Sequence, residues 1–187
     1  MMSSFFRLGL ALTGATLVFL SAAVASRGGQ SQPQPQVQRV RIGTYDSRAV
    51  AVAFGRSENS RQHTDDLHQR HARAKEAGDR KTADQLVRQG QSLQVRRHLQ
   101  AFSNAPVNDI LAEVQDRLRQ IAHQRGVVAI AASTDYRDDA RVEVVDLTND
   151  LVMLFNPDEN TLAIIADLKK QSPLPIEEVA QMDHRKH

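Results

Sequence analysis

Residues 56–100 read RSENSRQHTDDLHQRHARAKEAGDRKTADQLVRQGQSLQVRRHLQ, and this stretch decides the fold. It has no Pro and two Gly, and is rich in Ala, Gln, Arg, Lys, Leu and Glu, the good helix formers. Its apolar residues are sparse, among them Leu67, Ala74, Ala83, Leu86, Val87, Leu93 and Leu99. Leu67 and Ala74 are seven apart, as are Leu86 and Leu93, and Ala83, Leu86, Gly90 and Leu93 follow a 3-4-3 spacing. So narrow a stripe suits a two-helix or coiled-coil seam, where each helix keeps most of its circumference in water. Ala77-Gly78-Asp79 is the turn signal, since Gly ends a helix in the left-handed conformation and Asp caps the next. The stretch predicts two antiparallel helices, about 48–77 and 79–102. At 1.5 Å per residue the first would be roughly 45 Å long, too long for a small globule to cover, so it should protrude.

Upstream, Val40 to Tyr45 (VRIGTY) has the β-branched and aromatic character of a strand, and Asp46 and Ser47 offer N-cap oxygens for the helix that follows. Downstream, Ser103-Asn104-Ala105-Pro106 breaks the helix and restarts it, with Asn104 as cap and Pro106 in the first turn. Val107, Ile110, Leu111, Val114, Leu118 and Ile121 form a full amphipathic stripe, predicting a core-packing helix over 106–125 that ends at Gly126. Strands are expected at about 127–133 (VVAIAAS) and 141–145 (RVEVV), with Thr134–Ala140 as a hairpin loop. Asp146 or Thr148 should cap a helix running to about Phe155. A helix follows over Thr161–Lys170, and Ile176–Met182 adds a short turn before a frayed tail. There are no internal repeats. The fold class expected is α+β and helix-dominated: a long antiparallel helical hairpin projecting from a small β-containing body (40–155), with a C-terminal helical extension over 156–187.

The first 25 residues, MMSSFFRLGLALTGATLVFLSAAVA, place Arg7 before an uncharged apolar run that closes on Ala23-Val24-Ala25. This is the pattern of a secretory signal peptide, with an uncleaved membrane anchor as the other reading. Either places the rest of the chain in the cell envelope, outside the cytoplasm. Residues 26–39, rich in Gly, Gln and Pro, read as a disordered linker.

Charge and composition narrow the function. The chain of 187 residues carries 24 Lys+Arg against 22 Asp+Glu, but unevenly. Residues 27–100 hold 14 basic and 7 acidic side chains, and residues 101–187 hold 9 and 15. The helical stretch is therefore basic and the remainder acidic, which attracts acidic partners to the arm or favours head-to-base contacts between copies. A solvated helix face explains any single Arg equally well. With no Cys there is no disulfide, thiol nucleophile or Cys-ligated metal site. Six Phe, two Tyr and no Trp argue against a stacking surface for single-stranded nucleic acid.

Few constellations carry chemistry. His63, His68 and His71 with Asp65 and Asp66 form the one His/carboxylate cluster, but no HExxH is present and a solvated helix face accounts for it. Asp135, Asp138 and Asp139 lack the spacing, central Gly and closing Glu of a calcium loop. There is no phosphate-cradling glycine loop and no GxSxG elbow. No enzyme, cofactor or metal centre is expected.

The segments Ile42-Gly43-Thr44-Tyr45-Asp46-Ser47-Arg48-Ala49-Val50 and Val145-Asp146-Leu147-Thr148-Asn149-Asp150-Leu151-Val152 flank the polar helical stretch. In this setting the chain resembles the OmpH/Skp family of periplasmic chaperones over residues 40–152. The resemblance implies a homotrimer whose short strands build a central body, with helical hairpins that enclose unfolded outer-membrane proteins. It implies Arg70, Arg73, Arg80, Lys81 and Arg88 as client-facing side chains of a holdase that binds unfolded or envelope polypeptides without catalysis. The alternative is a structural or adaptor protein that uses the hairpin as a specific coiled-coil docking arm.

Overall fold

Strand β1 (Val40–Thr44) lies at the centre of a three-stranded sheet. The computed structural model describes residues 39–132 and 140–182, all helix-dominated apart from this sheet. The expected signal segment and nearly all of the expected linker (1–38), the 133–139 link with its aspartates, and residues 183–187 lie outside the described residues.

Behind β1, Asp46 accepts hydrogen bonds from the backbone N–H groups of Arg48 and Ala49 and starts α1 (Ser47–Gly55). Seven of the nine residues of α1 are buried, because its Ala, Val and Phe side chains face helices on several sides. The expected 45 Å arm is corrected at this point, since the helix breaks at Arg56. Ser57 Oγ donates to the Phe54 carbonyl at 2.6 Å and accepts from the Ser60 N–H at 3.3 Å, ending one helix and capping the next. A capping serine outcompetes helix continuation wherever its side chain satisfies the otherwise unpaired backbone groups.

Helix α2 (Glu58–Glu76) is therefore 19 residues long, roughly 28 Å, and α3 (Arg80–Phe102) returns beside it. Between them Gly78 adopts φ +70°, a left-handed conformation that suits glycine. The Asp79 N–H reaches back to the Ala74 carbonyl at 2.9 Å. Asp79 then accepts from the N–H of Thr82 at 3.0 Å and from its hydroxyl at 2.7 Å. These two bonds hold the Asp79 carboxyl below the usual aspartate range. Its contribution to the turn is thus complete above the unfolded aspartate value, near pH 3.9, and disappears as the pH falls through the lowered folded value. In a carboxyl-carbon NMR titration, Asp79 should titrate below an unstructured aspartate, and Thr82→Val should return the midpoint upward. An unmoved midpoint would show that the bonds do not persist in solution.

The core helix predicted over 106–125 is two helices, α4 (Asn108–Glu113) and α5 (Gln115–Arg125). Val114 leaves helical geometry at φ −119° and turns its buried side chain into the core. Helix α4 begins after Val107 with no side-chain cap, so Pro106 precedes the helix and Asn104 does not cap it. The amphipathic stripe packs as its spacing requires: Val107, Ile110 and Val114 are buried, and Leu111, Leu118 and Ile121 lie against the same cluster.

The expected strand hairpin is also corrected. Strands β2 (Ala129–Ala131) and β3 (Val142–Asp146) do not pair with each other; each runs parallel to β1, one on either side. Apolar and β-branched runs identified the strands, but pairing depends on which row of side chains meets the core. Gly43, Ile130 and Val145 form one row across the sheet, and Ile130 and Val145 pack against the buried cluster. The loop expected over 134–140 falls almost wholly outside the described residues.

After β3, Asp146 accepts from the N–H and hydroxyl of Thr148, and Thr148 Oγ1 accepts from the Asp46 N–H at 3.0 Å, so the ends of β1 and β3 are tied together. Helix α6 (Thr148–Val152) and a 3-10 turn follow, and Asp158 caps α7 (Glu159–Leu168). Residues 156–182 fold back onto the body. Helix α7 packs on α1 with Ile165 in the core, and α8 (Ile176–Gln181) packs on α3 through the buried Val179.

Candidate functional site

The α2/α3 pair packs on a thin seam and keeps most of its side chains in water. Only Ala74 of α2 is buried; α3 buries Ala83 and Leu86 near the turn and Gln100 at the body end. Leu67, Ala74, Ala83 and Leu86 make the seam, as the sparse stripe required. Gly90 faces Leu67: a Cβ built there would meet Leu67 Cδ2 at 3.3 Å.

Towards the body the two helices line a groove of about 750 Å³. Leu67, Gly90 and Leu93 line it, with His63, His68 and Arg70 along the α2 side. At the body end Arg97 lies over the Phe54 ring, 4.6 Å from its centre. Arg97 donates to Gln100 at 2.7 Å and Asp109 at 2.9 Å. Gln100, fully buried, donates to Asp109 Oδ1 at 2.7 Å and to the Pro106 carbonyl at 2.9 Å. This network anchors the root of α3 to the segment before α4. Spacing alone did not reveal it, since its members are scattered between positions 54 and 109. A Gln on a polar helix gives no local signal of burial.

The five expected client-facing cations are all exposed but do not converge. Arg70 lines the groove and pairs with Asp66 at 3.4 Å. Arg73 lies one turn further along α2, beside Gln69. Arg80 borders a second cavity of about 500 Å³ at the helix turn, with His71 and Lys75. Helical periodicity puts Lys81 and Arg88 on the side of α3 opposite the Ala83–Gly90 seam. The cations are therefore spread around the pair. The three histidines are separated likewise: His63 lies 3.9 Å from Glu113 of α4, His68 lines the groove and His71 the turn cavity.

A second surface was not anticipated. The register puts Val40, Ile42, Ala129, Val142 and Val144 on the sheet face opposite Gly43, and none of them belongs to the buried core. Val40 and Ala129 are exposed on this face and Ile42, Val142 and Val144 half-buried, so among the described residues it is apolar and only partly covered, where parallel sheets are usually covered on both faces.

Compared with protein-family profiles, with curated proteins and with solved structures, the chain matches none. Among the described residues no helix is long and apolar enough to cross a membrane. Among the same residues no group of three His, Cys, Asp or Glu side chains is placed to hold a metal ion.

Proposed function

We propose that this is an exported, non-enzymatic protein of the cell envelope that holds unfolded polypeptides on its basic helical hairpin, in the manner of the OmpH/Skp chaperones it resembles. The observation that carries this reading is the α2/α3 pair itself: two long helices on a thin seam, with Arg70, Arg73, Arg80, Lys81 and Arg88 exposed around them. A holdase works by weak contacts spread over a surface, and cations that do not converge on one pocket meet that need. Self-association into a trimeric body is part of the proposal, supported by the apolar sheet face of Val40, Ile42 and Val144. Export rests on residues 1–25.

The test is light scattering from a denatured β-barrel protein diluted with or without the chain from Ser26. Near-stoichiometric suppression of aggregation is expected at low salt. It should weaken at about 0.5 M salt, where screening shortens to a few ångströms. Joint reversal of Arg70, Arg73 and Arg88 to Glu should remove roughly half of the suppression or more, by loss of the same distributed attraction. Absence of suppression from a folded helical sample would overturn the holdase reading. The hairpin would then be a docking arm for one partner, a reading that the groove between α2 and α3 favours.

A further inference from the structure

The N-terminal edge of the parallel sheet gathers cations and exposed valines. Val40 opens β1, and its N–H bonds the Arg141 carbonyl at 2.8 Å. On the other side of β1 the Val128 N–H bonds the Arg41 carbonyl at 2.9 Å. These bonds bring Arg39, Val40, Val128 and Arg141 together from three separate stretches of the chain. Val128 is 76% exposed and Val40 46%, although the backbone of each is held in place. Gly126, left-handed at φ +62°, ends α5, and beyond it Val127 enters the core while Val128 stands in water.

Arg41 pairs with Glu143 and Arg125 with Asp150, but Arg39 and Arg141 are exposed and make no ion pair among the described residues. Upstream the chain carries no carboxylate before Asp46, while Arg27, Arg39 and Arg41 all precede it. Asp138 and Asp139, outside the described residues, stand beside Arg137 in the sequence and leave the balance of the edge positive. Exposed valines among uncompensated cations match an anionic lipid surface, whose headgroups take guanidinium groups and whose interface takes apolar side chains. The chain itself leads there. Residues 8–25 are apolar and uncharged, the composition of a membrane segment. Residues 26–39 span at most roughly 50 Å when fully extended, so they tether the start of β1 near the bilayer that receives this run. We infer that the N-terminal edge of the sheet, with Arg39, Val40, Val128 and Arg141, is a peripheral contact for anionic lipid. It does not depend on the holdase reading, since it fixes where the body sits whatever the hairpin holds.

The chain from Ser26 keeps the whole folded unit, Val37–His187, and lacks the apolar run, so lipid binding by it belongs to the body. Its co-sedimentation is measured with vesicles of equal parts phosphatidylglycerol and phosphatidylcholine, and with phosphatidylcholine alone. The anionic vesicles should bind it at least about tenfold more tightly, since each cation near an anionic surface contributes roughly fivefold. Arg39→Glu combined with Arg141→Glu should remove that preference. Helicity by circular dichroism should stay, because neither side chain has an ion-pair partner in the described fold. The chain has no Cys, so a cysteine placed at Val128 takes the only label. A polarity-sensitive dye there should brighten and shift to the blue on anionic vesicles. The same dye at Ala163, beside the exposed Leu162 and Ile164 of α7, should not respond.

Equal binding to both kinds of vesicle overturns the inference, as does binding untouched by the double reversal. A response at Ala163 in place of Val128 moves the contact to α7 and overturns it likewise. A Val128 response that grows with protein concentration without lipid, together with an oligomer in sedimentation, gives the edge to a second copy of the chain instead.

Discussion

Phe54→Ala should lower the unfolding free energy by about 3–5 kcal/mol, the range for removing a large buried aromatic side chain. Phe54 is 1% exposed at the end of α1, where that helix meets α3 and the 3-10 turn. Its ring meets Phe155 edge-on, with centroids 5.6 Å apart and planes at 81°. Its face carries the Arg97 guanidinium at 4.6 Å. Truncation therefore leaves a cavity, loses an aromatic pair, and uncovers the cation that ties α3 to Asp109. Phe54→Leu keeps most of the volume and should cost about half as much or less. Urea unfolding followed by far-ultraviolet circular dichroism measures both. A cost below about 1 kcal/mol for the alanine variant would mean that this junction is not packed as described.

The second large effect concerns Gly43, the fourth residue of β1. A Cβ there would lie 2.3 Å from Cδ1 and 3.1 Å from Cγ of Leu147, which is fully buried. Leu147 cannot swing aside into solvent, so Gly43→Ala should destabilise by about 1–3 kcal/mol through overpacking. Leu147→Ala alone should cost about 2–5 kcal/mol through the cavity. Since each change occupies or vacates the same space, the double variant should be more stable than the sum of the two costs predicts, by about 0.5–3 kcal/mol. Simple additivity in the four-variant cycle would show that Gly43 and Leu147 do not share this contact. The pair matters because Leu147 joins β3 to α6 directly behind the sheet, and its N–H bonds the Thr44 carbonyl at 2.7 Å.

Much of this was legible locally. Asp46, Asp79 and Asp158 stand one residue before helices and cap them, and Gly78 turns where its neighbours require a left-handed residue. The stripe Leu67, Ala74, Ala83 and Leu86 identified the seam because periodicity within a helix is a property of consecutive residues. The break at Ser57 was written in the same terms and was outweighed by the helix formers on either side. The pairing of β2 and β3 with β1 was not so written, since apolar runs mark strands without naming partners. The groove was half visible: Gly90 and Leu93 belong to the stripe, but nothing local says that Phe54 and Arg97 line the same groove.

The sequence by itself determined where helices begin and turn, which helical face is apolar, and that the basic charge gathers in the first half of the chain. These follow from backbone capping and from the spacing of neighbours along the chain. Only the tertiary structure decided that the sheet is parallel, that residues 156–182 fold back onto α1 and α3, and that Gln100 is buried against Asp109. Each depends on which distant surfaces exclude water together, a sum over the whole chain that no single segment contains.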